Sequence, residues 1–333
     1  MIEELDRRMA RLFLGGRGFN SYRLFMELPR DIDPLGKENI LCLAPGVLTG
    51  TGMPLSSRIE ISTLSPYSGI LGDGSAGGFF PTFLKRSGFD QVGIYGRSSR
   101  PVYIWIDDGN VSIMDACDIW GKTTWGTVDI LQERHGDDVR VAAIGPAGEN
   151  LVRMASTIID KHSSAARGSG AVMGSKNLKA IAVRGTKSVA LADEERFKSL
   201  AREDFEFFIK DPFQSRVVRT YGTHIGMIYW YPGYRYFSRY LQPDEVPKQL
   251  LPPEWKKYEI GRYSCFNCPV ACKNVYRIPH GKYGGEENAG LEFEAIHCLG
   301  VLSGAEDPMS IMAMANMADK YGIDVIALGN TIA

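Results

Sequence analysis

The chain has 333 residues, 38 Lys and Arg against 39 Asp and Glu, and 23% charged residues. That near-neutral balance gives no electrostatic basis for binding nucleic acid or an acidic membrane surface. The longest charge-free run, 39–57, is broken by Pro45, Gly46, Gly50, Gly52 and Pro54. It cannot supply the ~20 continuous apolar residues of a spanning helix.

The N-terminus, MIEELDRRMARLF, carries both signs of charge and lacks the apolar core of a signal peptide. Six cysteines in such a chain point to a reducing compartment, where clustered thiols serve metals or catalysis. The expectation is a soluble cytoplasmic protein.

Most of the 37 glycines precede residue 190, a frequency above the ~7% average. In this part, short β-rich runs at 38–43, 57–63, 102–107, 110–114, 139–144 and 178–183 alternate with turns. Asp108-Gly109-Asn110 predicts a hairpin between the third and fourth runs. The spacing predicts one helix over 123–134.

Beyond residue 190 the period changes. Asp193 predicts an N-cap, and Phe197, Leu200, Ala201, Phe205 and Phe208 recur at helical spacing. Residues 290–303 and 306–320 also read as helices. The fold class is therefore α+β: a Gly-rich, β-dominated domain over 1–190 and a mainly helical domain over 191–333. The apolar terminus DVIALGNTIA has no capping or polar tail, which suggests that the natural chain continues.

The most specific chemical signal is Cys265-Phe-Asn-Cys268-Pro-Val-Ala-Cys272. Three thiols at C-x2-C-x3-C spacing can wrap one corner of an iron–sulfur cluster, whereas zinc sites more often show two separated pairs. A [4Fe–4S] cluster wants four ligands. Cys298, Cys42 and Cys117 read as small apolar side chains, so the fourth ligand is expected outside this chain.

Gly72-Asp-Gly74-Ser-Ala-Gly77-Gly78 is a formal G-x-G-x-x-G ahead of a helical segment, but the preceding SPYSGIL is a poor strand. Dinucleotide binding is therefore disfavoured, while a backbone cradle for another phosphorylated cofactor stays open. In 144–179, Gly168, Gly170 and Gly174 permit either close ligand approach or tight packing. Glu294 and His297 share a helix face, and Glu294 in the apolar setting LEFEAIHCLG suits a proton-transfer role or a solvated edge. Asp319 and Asp324 flank Gly322 at a helix end, where a C-cap turn is the structural alternative.

In order along the chain, LGGRGFNSY, APGVLTGTGMPLSSR, IGPAGENLVRMAS, GSGAVMGSKNLKAIAVRGTK, the cysteine triplet and Asp319-Lys-Tyr-Gly322-Ile-Asp324 resemble the aldehyde:ferredoxin oxidoreductase family of tungsten or molybdenum bis-pterin enzymes. The resemblance covers essentially the whole chain and corresponds to the first half of a family member. It implies a β-sheet base for two pterins, joined by helical domains. Arg58 and the loop Ser75, Gly77 and Gly78 are then expected at the pterin phosphates, and Ser163 and Ser164 near a magnesium ion that bridges them. Asp319 and Asp324 are expected at a pterin ring, Cys265, Cys268 and Cys272 on the [4Fe–4S] cluster, and Glu294 near the metal.

The implied reaction is oxidation of small aldehydes to carboxylates, with electrons leaving through the cluster to ferredoxin or another electron-transfer protein. Departures are Ser75 for the family's Asn, Ser163 for its Arg, and Ala313 where some members place a Glu that binds iron between subunits. They leave a homodimer or a hetero-complex open and an iron-bridged dimer in question. The chain alone is not expected to complete an active site. Two alternatives are the tungsten subunit of a benzoyl-CoA reductase complex and a non-catalytic iron–sulfur electron-transfer protein.

Overall fold

The computed structural model describes residues 1–229 and 233–333. The chain divides into two compact units, Met1–Lys198 with Lys320–Ile323, and Ser199–Asp319 with Asp324–Ala333.

The first unit is built on two sheets. Strands β1 (Leu41–Pro45), β2 (Arg58–Leu64), β3 (Leu71–Gly77) and β4 (Val92–Ile94) form one, in the order β3-β2-β1-β4 and antiparallel throughout. The second contains β5 (Val102–Asp107), β6 (Asn110–Asp115), β7 (Arg140–Ala143), β8 (Thr157–Ile159), β9 (Ser163–Ala165) and β10 (Leu178–Arg184), in the order β6-β5-β10-β7-β8-β9. All six β-rich runs of the sequence became strands. The hairpin at 108–109 forms because Asp108 and Gly109 both take positive φ, 47° and 98°, as a two-residue turn that matches strand twist requires.

Leu41, Leu43, Ile59 and Ile61 from the first sheet meet Ile144, Ile159, Ile181 and Val183 in one buried core, together with Phe80, Leu84, Val172 and Met173. The other face of the six-stranded sheet is covered by helix Thr124–His135, which Thr123 caps by accepting from Gly126 N.

Two readings of the Gly-rich segments change. The run 72–78 is not a loop: Gly72 to Gly77 lie in β3, each paired across to β2. A Cβ at Gly72 would stand 2.9 Å from Arg167 O, and one at Gly74 would stand 2.7 Å from Ala166 N. These glycines are there because β3 lies flat against 165–167. Likewise Gly170 and Gly174, in helix Ser169–Ser175, take the packing alternative, with positions for a Cβ only 2.5 Å from Ser156 O and 1.9 Å from Gly148 O.

The second unit contains helices Phe293–Ile296, Pro308–Tyr321 and Val325–Ile332, the first running on into a π-helical turn at His297–Leu302. It also has a small antiparallel sheet, β11 (Glu259–Tyr263), β12 (Lys273–Arg277) and β13 (Glu287–Ala289), which the helical pattern did not reveal. Asp193 caps helix Glu194–Lys210 as predicted, accepting from Arg196 N at 3.0 Å. No residue of that helix is buried, however, and its stripe of Leu200 and Phe205 stays exposed. Among the described residues, no helix is long and apolar enough to cross a membrane.

Candidate functional site

Alternation along β2 and β3 sorts their side chains. Ile59, Ile61 and Ala76 point into the core. Arg58, Glu60, Ser62, Asp73 and Ser75 share the other face, paired as Arg58 with Gly77, Glu60 with Ser75, and Ser62 with Asp73. Arg58 Nη2 donates to Ser75 Oγ at 2.9 Å, and Gly77 N–H donates to Ser163 Oγ at 3.2 Å. Residues from three separate strands, Arg58 of β2, Ser75 and Gly77 of β3 and Ser163 of β9, thus come together, Arg58 lying opposite Gly77 in the β2–β3 register. Ser163 and Ser164 lie in β9 rather than in an irregular turn. The Ser164 hydroxyl is buried and, among the described residues, has no hydrogen-bond partner, a polar atom whose cost is relieved by a ligand that bonds it.

Gly78 has φ 114°, and the nearest atom to a Cβ there is Asp160 Oδ2 at 3.9 Å. Asp160 escaped the sequence reading. It sits at positive φ between β8 and β9, and accepts from Val141 N at 2.8 Å and Phe80 N at 3.1 Å. Burial pushes its carboxyl up to about 6, against those backbone donors and nearby Arg140. It ties the end of β3 to the six-stranded sheet. Arg17, Glu60 and Asp73 were missed as well: Arg17 bonds Asp73 and stands 3.8 Å from Glu60, whose carboxyl burial raises. The available signal was the alternation of polar residues in RIEIS and GDGSAG, which marks one polar sheet face.

In the second unit, Cys265, Cys268 and Cys272 occupy the loop joining β11 to β12. Cys268 N–H bonds Cys265 O at 3.1 Å, and Asn267 and Ala271 take positive φ, so the loop curls twice within eight residues. All three thiols are free and half-buried. The Cys272 thiol is pushed up to about 11 by burial, then by the negative charges of Glu292, Cys265 and Cys268, with Lys273 opposing. Three free sulfur donors brought together by one tightly curled loop are the donor set an iron–sulfur cluster takes, so the residues fit such a group. Among the described residues, no three His, Cys, Asp or Glu side chains stand close enough to hold a metal as they are. Cys298 is buried at helix Val325–Ile332, against Gly329, and Cys42 is buried in β1, as the apolar reading expected, whereas Cys117 is exposed just past β6 and departs from it.

Helix Phe293–Ile296 begins beside this loop. Thr223 Oγ1 donates to Glu292 at 3.1 Å and accepts from Phe293 N at 3.0 Å, while Lys273 stands 3.7 Å from Glu292. Gly222, at φ 64°, lies so near the loop that a Cβ would sit 2.4 Å from Cys272 O. Glu294 is exposed, as the solvated-edge alternative expected, yet its carboxyl is raised first by partial desolvation and further by Glu292. His297 stacks on Phe293 at 5.2 Å. Asp319 lies in the last turn of Pro308–Tyr321, and burial pushes it up to about 7 against the pull of Lys273. Between them Gly322, at φ 74°, follows the end of that helix as a C-cap turn expects, and Asp324 is the N-cap of the next helix, accepting from Ile326 N at 2.9 Å and Ala327 N at 3.4 Å. Ala313 lines a pocket of about 330 Å³ with Met309, Met314 and Met317.

Comparison with known proteins identifies the family. The family description "aldehyde ferredoxin oxidoreductase, N-terminal domain" matches residues 1–185, and "aldehyde ferredoxin oxidoreductase, domains 2 & 3" matches residues 200–333. The tungsten-containing aldehyde ferredoxin oxidoreductase of Pyrococcus furiosus is 38% identical over 337 residues, covering 100% of this chain and 55% of that protein. Its Pyrococcus horikoshii counterpart is 40% identical over 336 residues, with 99% and 55% covered. The chain thus spans little more than half the length of these relatives. Among solved structures, the active-site complex BamBC of benzoyl coenzyme A reductase with 1,5-dienoyl-CoA superimposes with a TM-score of 0.84 at 28% identity, over 97% of this chain and 51% of that one. The chain belongs to the aldehyde ferredoxin oxidoreductase family.

Proposed function

We propose that this chain supplies the cofactor-bearing base and the cluster loop of a cytoplasmic tungsten–pterin oxidoreductase that converts aldehydes to carboxylic acids. The observation that carries the reading is the loop that gathers three free thiols within eight residues, in a chain whose first unit independently brings Arg58, Ser75, Gly77 and Ser163 together on one polar sheet face. A tungsten–pterin group held on this base would supply two-electron chemistry at the aldehyde carbon, and a [4Fe–4S] cluster held by the cysteine loop would supply one-electron carriage toward ferredoxin.

The chain's own residues then divide the work. Cys265, Cys268 and Cys272 are thiolate ligands of the cluster. Arg58, Ser75, Gly77 and Gly78 offer a cation, a hydroxyl and backbone approach to cofactor phosphates, and Ser163 and Ser164 offer oxygens to the accompanying magnesium. Asp319 and Asp324 serve ring recognition. Asp324 brings one oxygen already spent on its helix cap, so its second oxygen does the binding. Glu294 holds or releases the proton at a carboxyl oxygen, a role suited to a carboxyl raised by partial desolvation.

Metal analysis of anaerobically purified protein tests the reading. Iron is expected in the wild-type chain and is expected to fall to background in Cys265→Ser, Cys268→Ser and Cys272→Ser. Iron unchanged in all three variants removes the cluster assignment. The likeness to BamBC favours a second reading, reduction of an aryl-CoA thioester. Parallel assays of simple aldehydes with ferredoxin and of aryl-CoA thioesters, on the full-length protein that carries this chain, separate the two. Turnover of the thioester alone overturns the first reading.

A further inference from the structure

The polar face of β2 and β3 carries a second cation, which the proposed ligand set does not include. Arg17 begins helix Arg17–Glu27, and the preceding Gly16, at φ 51°, bonds Pro45 O at the end of β1. Its Nε–H donates to Asp73, and its Nη2 stands 3.8 Å from Glu60, beyond hydrogen-bond reach. A guanidinium has five N–H donors in a rigid fork, so the Asp73 bond leaves Nη donors for a third group.

The side chain is 68% exposed, yet its heading is set from the interior. Asn20, one turn further along the same helix, donates to Ser62 Oγ at 3.0 Å, and Ser62 donates to Asp73 Oδ1 at 2.7 Å. Asn20 and Ser62 are fully buried. A chain of hydrogen bonds therefore runs from the core through Asp73 to the exposed guanidinium. In the β2–β3 register, Glu60 with Ser75 lies between Ser62 with Asp73 and Arg58 with Gly77. The anchors of the two arginines are two residues apart along β2 and β3, roughly 7 Å, a span that one diphosphate can bridge.

The geometry points to Arg17 as a second cationic arm for a diphosphate seated on this face, with Asp73 as the positioning residue that fixes its direction. This rests on the phosphate role proposed above for Arg58 and Ser75. Bidentate guanidinium contacts suit phosphoryl oxygens, and a pre-set heading spares the side-chain entropy that an untethered arginine loses on binding.

Isothermal titration of the 333-residue chain with inorganic pyrophosphate, at low ionic strength, tests it. Arg17→Ala is expected to weaken binding about fivefold to tenfold, and Arg17→Lys to recover part of that loss. Asp73→Asn, which keeps Arg17 but loosens its anchor, is expected to cost about twofold to threefold. Melting curves run beside the titrations identify a merely structural strut. If Arg17→Ala lowers the melting temperature while pyrophosphate affinity stays at the wild-type value, and Arg58→Ala still weakens it, Arg17 is only a strut and the proposal falls. If the wild-type chain does not bind pyrophosphate, the phosphate role of Arg58 and Ser75 falls, and that of Arg17 with it.

Discussion

Lys179 and Glu149 form an ion pair inside the first unit, where both side chains are withdrawn from water, at 0% and 5% exposure. Lys179 Nζ donates to Glu149 Oε1 at 2.5 Å and to Lys122 O at 2.7 Å, and Gly121 N–H donates to the same carboxylate at 2.9 Å. Burial lowers the lysine's pKa, while the Glu149 charge beside it holds the proton on. Glu149→Gln keeps the shape and removes the countercharge, leaving an uncompensated ammonium in the interior. Breaking a buried pair in this way costs about 3–5 kcal/mol. For a unit of this size, at about 2–4 °C per kcal/mol, the melting temperature should fall by about 10 °C. Lys179→Met in the Glu149→Gln background removes the stranded charge and should restore most of the loss. Calorimetry on wild type, both single variants and the double variant yields the coupling energy directly. A Glu149→Gln loss under about 1 kcal/mol would refute the reasoning, since it would mean that water reaches the ammonium.

Acid should weaken the second unit through His224. Its Nε2 donates to Leu250 O at 2.8 Å, the ring packs edge-on to Trp255, and burial holds its pKa down to about 4. A base with a depressed folded-state pKa is neutral when folded and takes up a proton on unfolding. Its contribution is therefore complete above about pH 6.5 and is lost as pH falls from there to about 4, by up to about 3 kcal/mol. Denaturant titrations across that range should lose this slope in His224→Phe, and an unchanged slope would count against the histidine. Gly174→Ala should destabilise the first unit by about 3 kcal/mol or more, because its Cβ would stand 1.9 Å from Gly148 O, whereas Gly261→Ala meets nothing within 4 Å and should be nearly neutral. Equal stability of these two variants would show that the contact between Ser169–Ser175 and the chain at Gly148 yields easily.

The sequence by itself determined the α+β class, six of the strands, the 108–109 hairpin, the Asp193 cap, the helix near 123–134 and the family. Each of these rests on neighbours within a few residues or on motifs in a fixed order. The cysteine loop was legible for the same reason, since its three thiols lie within eight residues. What escaped depends on partners far along the chain. Gly72 and Gly74 look like a flexible loop until residues 165–167 are laid against them, and then they form the strand that only small residues allow. Asp324 reads as the end of one helix, yet its oxygen caps the next.

The polar face of β2 and β3 shows the limit most clearly. Alternation could announce that one face of β2 is polar. Only the tertiary structure decided that Arg17, 56 residues from Asp73, would meet it there, and that Ser163, 86 residues from Gly77, would close the other end. Charge and hydrogen bonding act over a few ångströms in space, whereas sequence patterns record only distance along the chain.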